Sequence, residues 1–360
     1  MAFSFFPFSR SAAYLGVDIG TTSIKVVEAR RGRPLPELVN YGMLEASDYA
    51  GRTTSALQTS SLKLFEQETA ELLGMTLAEM KPKSKEAFAS LPLFSVFTTV
   101  LDFPEMSDAE IVKSIGFQAR QYIPLPLSEV ALEWMRVGNY EDGQGKRHIA
   151  VLLMSIPKEQ IQKYRRMFQA VGLHLRALEV EPISAVRSLV GIDPASAVIV
   201  DIGSRSTAIT FAERGRLTYS VQSDFAGASL TQALATSLHI HPRRAEELKK
   251  EKGVLGGGAD YELSTILVPF LDVIINEVKK AQFSYAAQLP SASKPERVIL
   301  TGGSANLPGL DAYFKRELGL PVGRAAPFGA FAYPELLEPV AKELNPFFSV
   351  GLGLVLRQLA

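Results

Sequence analysis

Cysteine is absent from all 360 residues, which excludes disulfides, thiolate metal sites and a cysteine nucleophile. The absence fits the cytoplasm without proving it. Net charge is also missing: 38 basic residues meet 38 acidic ones, so no basic surplus exists to neutralise a phosphate backbone, and nucleic acid is not an expected partner. No apolar run is long enough to span a bilayer. The two most apolar windows, Leu263 to Ile275 and Phe347 to Leu356, are short, and Pro269 and Asp272 interrupt the first. Met1 to Arg10 lacks the early positive charge and apolar length of a signal peptide; it is a short aromatic tail, read as a loose arm, with an interfacial membrane foothold as the second reading. Histidine is scarce, and the one close pair, His239 and His241, lacks acidic company, so a loop pair is expected there rather than a metal site.

With 47% apolar residues, the chain can bury a large core in at least two domains. One stretch organises it: Leu15-Gly16-Val17-Asp18-Ile19-Gly20-Thr21-Thr22-Ser23-Ile24-Lys25. An apolar strand ends at Asp18, Gly20 opens a tight turn, and a second strand follows from Ile24 to Ala29. Such a hairpin suits a phosphate chain: the amides and hydroxyls of Thr21, Thr22 and Ser23 can donate, and Lys25 adds a cation. Asp18 would repel bare phosphate, which implies a mediating cation, most simply Mg²⁺ held through waters. Alone, the pattern can equally close an ordinary hairpin. Far down the chain, however, Val198-Ile199-Val200-Asp201-Ile202-Gly203-Ser204-Arg205-Ser206-Thr207 repeats the design. Two copies predict two similar halves facing each other, with a nucleotide between them. A third signal is the buried strand Arg297 to Thr301, running into Gly302-Gly303-Ser304, where adjacent glycines let a flat ligand approach the backbone.

In chain order, Ala13 to Val17, Ile24 to Ala29 and Glu37 to Glu45 read as a three-strand meander, followed by a helix from Thr54 to Leu73. Strands are expected at Glu86 to Leu91 and Leu93 to Phe103. Ser107 and Glu110 form a capping box for a helix to Gln121. Val130 to Val137 and His148 to Pro157 pair across a turn; a helix from Lys158 to Val171 and a strand from Leu173 to Val180 follow. Residues 84–178 thus read β-β-α-β-β-α-β, an inserted unit. Beyond Thr210 come the strand Arg216 to Val221, a helix opened by Gly227 and running to Leu238, and the segment Arg243 to Lys250. That segment places Glu246, Lys249 and Lys250 on one side, either as a salt-bridged surface or as a ribose and base contact. A Gly-rich loop, Leu255 to Tyr261, precedes a long helix from Glu262 to Gln288, with Ile266, Phe270, Ile274, Val278 and Phe283 expected inward.

The order Asp18-Ile19-Gly20-Thr21-Thr22-Ser23, Asp201-Ile202-Gly203, Gly302-Gly303-Ser304 resembles the phosphate-1, phosphate-2 and adenosine motifs of the actin, Hsp70 and hexokinase superfamily, and Lys25 falls where actin has its phosphate lysine. Within it the whole chain resembles the PilM family, actin-like proteins of type IV pilus assembly related to FtsA. The resemblance is carried by Ser90-Leu91-Pro92, Phe103-Pro104-Glu105-Met106-Ser107, Phe117 to Leu127, Val180-Glu181-Pro182 and Ser349 to Arg357. It implies an α/β actin-like ATPase fold of two ribonuclease-H-like domains: subdomain 1A over 1–83, an inserted 1C unit over 84–178, 2A over 179–240 and 297–338, 2B over 241–296, and a C-terminal helix over 339–360 returning to 1A.

The resemblance also implies function. The chain would be a cytoplasmic ATP-binding protein, peripheral to the inner membrane, that receives the N-terminal peptide of PilN between 1A and 1C and so links PilN and PilO to the pilus motor. Asp18, Gly20, Thr21, Thr22, Ser23 and Lys25 would hold the phosphates from one side, and Asp201, Gly203, Ser204 and Ser206 from the other. Asp18 and Asp201 would hold Mg²⁺ through water. Gly227, Gly302, Gly303 and Ser304 would line the nucleoside, with Glu246 and Lys249 or Lys250 at the ribose and base. Where the family has two glycines before that helix, this chain has Ala226-Gly227, and Arg205 is either an extra cation or a solvent-facing residue. Glu181 would orient the attacking water of a slow hydrolysis; otherwise it is a helix-start carboxylate contributing about 0.3 to 1 kcal/mol. Two competing functions are a small-molecule kinase of the same superfamily and an FtsA-like membrane-bound filament former. The first needs a sugar pocket; for the second, the end of the sequence at Arg357-Gln358-Leu359-Ala360 leaves no expected anchor.

Overall fold

The computed structural model describes residues 12–45, 66–254 and 261–359. The aromatic N-terminal tail, the start of the helix expected from Thr54 and most of the Gly-rich loop lie outside the described residues.

Three antiparallel strands open the chain, β1 (Ala13–Ile19), β2 (Ser23–Arg30) and β3 (Glu37–Glu45). After helix α1 (Glu66–Met80), strand β4 (Glu86–Leu91) returns parallel to β1. Next come β5 (Phe97–Pro104), α2 (Asp108–Ala119), β6 (Val130–Glu141), β7 (Arg147–Pro157), α3 (Lys158–Ala170), β8 (His174–Val180) and α4 (Glu181–Leu189). The second half repeats the opening with β9 (Ala197–Ile202), β10 (Thr207–Glu213) and β11 (Arg216–Ser223), then helices α5 (Gly227–Leu238), α6 (Pro242–Lys252) and α7 (Tyr261–Gln288). It closes with β12 (Arg297–Thr301), α8 (Leu310–Leu318), β13 (Val322–Arg324), α9 (Glu338–Leu344) and α10 (Ser349–Leu359).

The sheets reveal the duplication. One has the order β3-β2-β1-β4-β8, the other β11-β10-β9-β12-β13. Each is an antiparallel meander extended by two parallel strands, so β1 and β9 are equivalent centres. Central strands covered on both faces must be apolar throughout, and Leu15, Val17, Val198, Ile199 and Val200 are all at most 2% exposed. Helix α10 returns from the far end to pack on β1, β2, β4 and α4, and every residue from Ser349 to Val355 is buried. Gly353 permits that approach, since a Cβ there would stand 1.9 Å from the Ser184 carbonyl oxygen.

The inserted unit is smaller than residues 84–178. Strands β4 and β8 are hydrogen-bonded to each other, and β4 to β1, in the first sheet; only β5, β7 and β6 form a separate three-stranded sheet. Leu93–Ser95, expected as strand, is a 3-10 turn at the hand-over between the two sheets. The capping box at Ser107 is present, its backbone N–H and hydroxyl both donating to Glu110 at 2.8 and 2.7 Å.

Helix α7 corrects one assignment: Phe283 is 77% exposed, and Ile266 and Phe270 only flank the core. Successive helical residues turn by about 100°, so the five-residue step from Val278 swings Phe283 about 140° round the helix, off the buried face. The buried stripe, Leu267, Leu271, Ile274, Val278, Ala281 and Tyr285, alternates four and three. Among the described residues, no helix is long and apolar enough to cross a membrane.

Candidate functional site

Both duplicated turns are closed by the same bond. The Gly20 N–H donates to the Ser23 carbonyl at 2.9 Å, and the Gly203 N–H to that of Ser206 at 3.0 Å. In the first, Asp18 and Lys25 are directly opposed across β1 and β2, which places them on one face, and the ammonium lies 3.2 Å from the carboxylate. In the second, the residue opposite Asp201 is Ala208. One lysine therefore serves three neighbouring carboxylates, Asp18, Asp201 and Glu181.

The charges register this imbalance. Burial works against the Lys25 ammonium, but Asp18, with Asp201 and Glu181, keeps its pKa above the ordinary lysine value. Burial, then Asp18 and Asp201, push Glu181 well above a normal carboxyl, although it accepts a hydrogen bond from the backbone of Leu93. Asp201 is pushed up to about 6 by burial and by Asp18. A carboxyl whose folded pKa exceeds its unfolded one stabilises the fold most below the unfolded value, here 3.8, and that contribution is lost as pH rises through about 6. Asp201→Asn, which cannot ionise, should therefore gain stability relative to the native chain as pH rises through this window. Urea midpoints of both proteins on either side of pH 6 measure it; a gap independent of pH would contradict the assignment.

Ser90 was not anticipated. Its hydroxyl donates to Asp18 at 2.9 Å from a fully buried position on β4. Only the parallel register of β1 with β4, Val17 beside Ala89, brings it there, and that register is not a local sequence property.

The third wall comes from the second half. Gly302 has φ +82°, and a Cβ on it would lie 2.3 Å from Asp201 Oδ1. The ring of Phe347 stands against Gly303. The Gly227 N–H donates to the Gly203 carbonyl at 3.0 Å and the Ala228 N–H to that of Ser204 at 2.7 Å, which fastens the start of α5 to the second turn. The departure at Ala226 costs no contact: its backbone is extended, and it is Gly227 whose Cβ would meet Ser304 Oγ at 2.7 Å.

Lys249 is 4% exposed, and its ammonium donates to the Gly227 carbonyl (2.9 Å), Thr231 Oγ1 (2.8 Å) and Glu246 Oε2 (2.6 Å). All three protons are used, so Lys249 is a post joining α6 to the first turn of α5 rather than a hand for ribose or base. Burial lowers its pKa despite Glu246. Lys249→Met should cost about 2 kcal/mol by removing the ammonium's hydrogen bonds to the Gly227 carbonyl, Thr231 and Glu246, measured as a drop in the urea midpoint at unchanged slope. Lys250 stays closer to solvent, 3.7 Å from Glu246 and 4.0 Å from Glu45 on the opposite wall.

Asp18, Gly20, Thr21, Thr22, Ser23, Lys25, Glu181, Asp201, Gly203, Ser204, Ser206, Gly227, Glu246, Lys249, Lys250, Gly302, Gly303 and Ser304 all line one cleft of about 460 Å³. Phe94, Gln222 and Phe347 line it as well, and the sequence patterns had not marked them. Arg205 is not among the lining residues. Among the described residues no cluster of three or more histidine or carboxylate groups could hold a metal; His241 accepts from the Arg243 N–H at the start of α6.

A half-molecule used twice, with its turns set around a shared cleft, defines a protein of the actin-like ATPase fold. Solved structures with this fold include MreB5 of Spiroplasma citri bound to AMPPNP, 14% identical over 96% of this chain and 95% of that one with a TM-score of 0.55. A PilM-PilN type IV pilus biogenesis complex matches with a TM-score of 0.79 and 22% identity, over 98% of this chain and all of that one. The chain belongs to the family of type IV pilus assembly protein PilM, whose model matches residues 16–359. Among curated proteins it is similar to the cell division protein FtsA of Enterococcus hirae, 21% identical over 84% of this chain and 75% of the relative.

Proposed function

We propose that the cleft binds Mg-ATP and that the chain couples its occupancy to a PilN-type membrane partner in the type IV pilus assembly platform. The observation that carries the nucleotide reading is the pair of matched turns, each with a carboxylate at its root and hydroxyl donors at its tip, with Lys25 between their carboxylates. Three carboxylates crowding one ammonium suit a divalent cation beside a polyanion, because the cation relieves the repulsion that raises Glu181 and Asp201. Asp18 and Asp201 would hold the Mg²⁺ through waters. When bound, the ion neutralises phosphate charge; Lys25 holds phosphate oxygens, the turn hydroxyls orient them, and Gly302 to Ser304 with Phe347 flank the nucleoside. Glu181 orients the attacking water in a slow hydrolysis.

The partner reading rests on family membership and on a PilM-PilN complex sharing this chain's full-length fold. The N-terminal peptide of PilN would dock between the first domain and the inserted unit. That would hold the protein at the cytoplasmic face of the inner membrane and connect it to PilO and the pilus motor. Calorimetry of the chain with Mg-ATP, then with a PilN-type N-terminal peptide, tests both halves; a chain that binds neither would refute the proposal. Turnover with a panel of small hydroxylated substrates would instead favour the kinase reading, and ATP-dependent filaments on lipid the FtsA-like one.

A further inference from the structure

We propose that the inserted three-stranded unit is a strut between the two halves, so that cleft occupancy is transmitted to its outer face; this rests on the nucleotide reading above. Its sheet is covered on both faces. Leu101, Phe103, Ile149, Val151 and Leu153 pack with Ile111 and Ile115 of α2. Because side chains alternate along a strand, Ala150, Leu152 and Met154 of β7 point the other way. Between them the three meet both halves. Met154 joins the core of the first domain with Leu91 and Leu93. Leu152 joins Val186 of α4, Val190 just beyond its end, and Ile199 of the second sheet. Ala150 joins the core of the second domain with Tyr285 and Leu289. One strand thus bridges the halves.

Two joints pin the strut at its ends. On the first-domain side, the turn that enters the unit, Leu93–Ser95, reaches the cleft itself, where Phe94 and Glu181 both form part of the lining. On the second-domain side, Gly138 sits at the β6 irregularity, where a Cβ would stand 2.9 Å from Ser291 Oγ and 3.6 Å from Leu289. Glycine at such a bulge leaves room for the Ser291 and Leu289 side chains to approach the strand closely. Cleft closure changes the angle between the halves and must therefore slide one of these three contacts or carry the unit with it. If the second-half contacts hold, α2, with exposed Val112 and Phe117 on its outer surface, is displaced relative to the first domain.

The chain supplies its own probe. Its single tryptophan, Trp134, packs against the α2 side of the inserted sheet and does not line the cleft. Titration of the native chain with Mg-ATP, followed by calorimetry and by Trp134 emission, should give an emission change that saturates at the calorimetric Kd. Heat without an emission change overturns the strut and leaves the nucleotide reading standing; no heat overturns both. The absence of native cysteines allows a second arm, Gly138→Cys with Ser291→Cys, at a contact short enough for a disulfide, whose Cβ atoms stand about 3.8 Å apart. Mg-ATP affinity should differ at least about fivefold between the oxidised and reduced forms, a coupling typical of linked sites. Equal affinities, or a pair that fails to oxidise, would contradict the joint.

Discussion

Asp18→Ala abolishes the stabilisation that Mg-ATP gives the native chain, about 4 kcal/mol at a thousandfold excess over Kd, and leaves the unliganded protein folded. The two halves of this result have separate causes. Asp18 stands at the root of the first turn, 5% exposed, where it accepts from Lys25 and Ser90. Its loss removes a cation ligand and the group that fixes Lys25. The same carboxylate is a leading source of the repulsion on Glu181 and Asp201, so its removal offsets part of the lost hydrogen bonding, and Lys25 keeps two carboxylates nearby. Thermal unfolding of both proteins with and without Mg-ATP measures the effect. An unchanged ligand shift in the variant would mean that Asp18 does not serve the ligand.

Gly302→Val is expected to destroy both stability and binding. Its backbone at φ +82° is strained for any residue with a Cβ, a cost of about 1 to 3 kcal/mol. Sterics add to this. A Cβ would lie 2.3 Å from Asp201 Oδ1 and 2.6 Å from the Ile202 carbonyl, so strand β9 would have to move at the second phosphate turn. The Gly302 N–H also donates to Pro346 at 3.0 Å, which ties the turn to the segment carrying Phe347. The combined loss should exceed about 4 kcal/mol, beyond the usual single-substitution range. Gly323→Ala is the control: a Cβ there meets nothing within 4 Å, and stability should change by less than about 0.5 kcal/mol. Urea unfolding of the two variants and calorimetry with Mg-ATP read the difference. A Gly302→Val protein as stable as native would refute the packing described.

The turns were legible because each is local: strand, acid, glycine, hydroxyls and strand within a dozen residues, written twice. Glu181 was legible from its Glu-Pro-x-x-Ala pattern, with Pro182 and Ala185. Properties fixed by distant pairing were hidden. Ser90 reaches Asp18 only through the β1–β4 register, and Lys249 resembles a surface helix cation until α6 is laid on α5. The limits of the inserted unit were overdrawn because β4 and β8 look like any strands, and nothing within them says which sheet they join. Phe283 falls outside because it stands five residues beyond Val278, about 140° round a 3.6-residue helix from the buried stripe.

The central claim is that two equivalent turns, one from each half, grip a single nucleotide. Amide hydrogen exchange of the native chain with and without Mg-ATP tests it most directly. The account predicts slowed exchange together in 18–25, 201–206 and 302–304 at one ligand per chain. Protection confined to one of the two phosphate turns, or to neither, would contradict it.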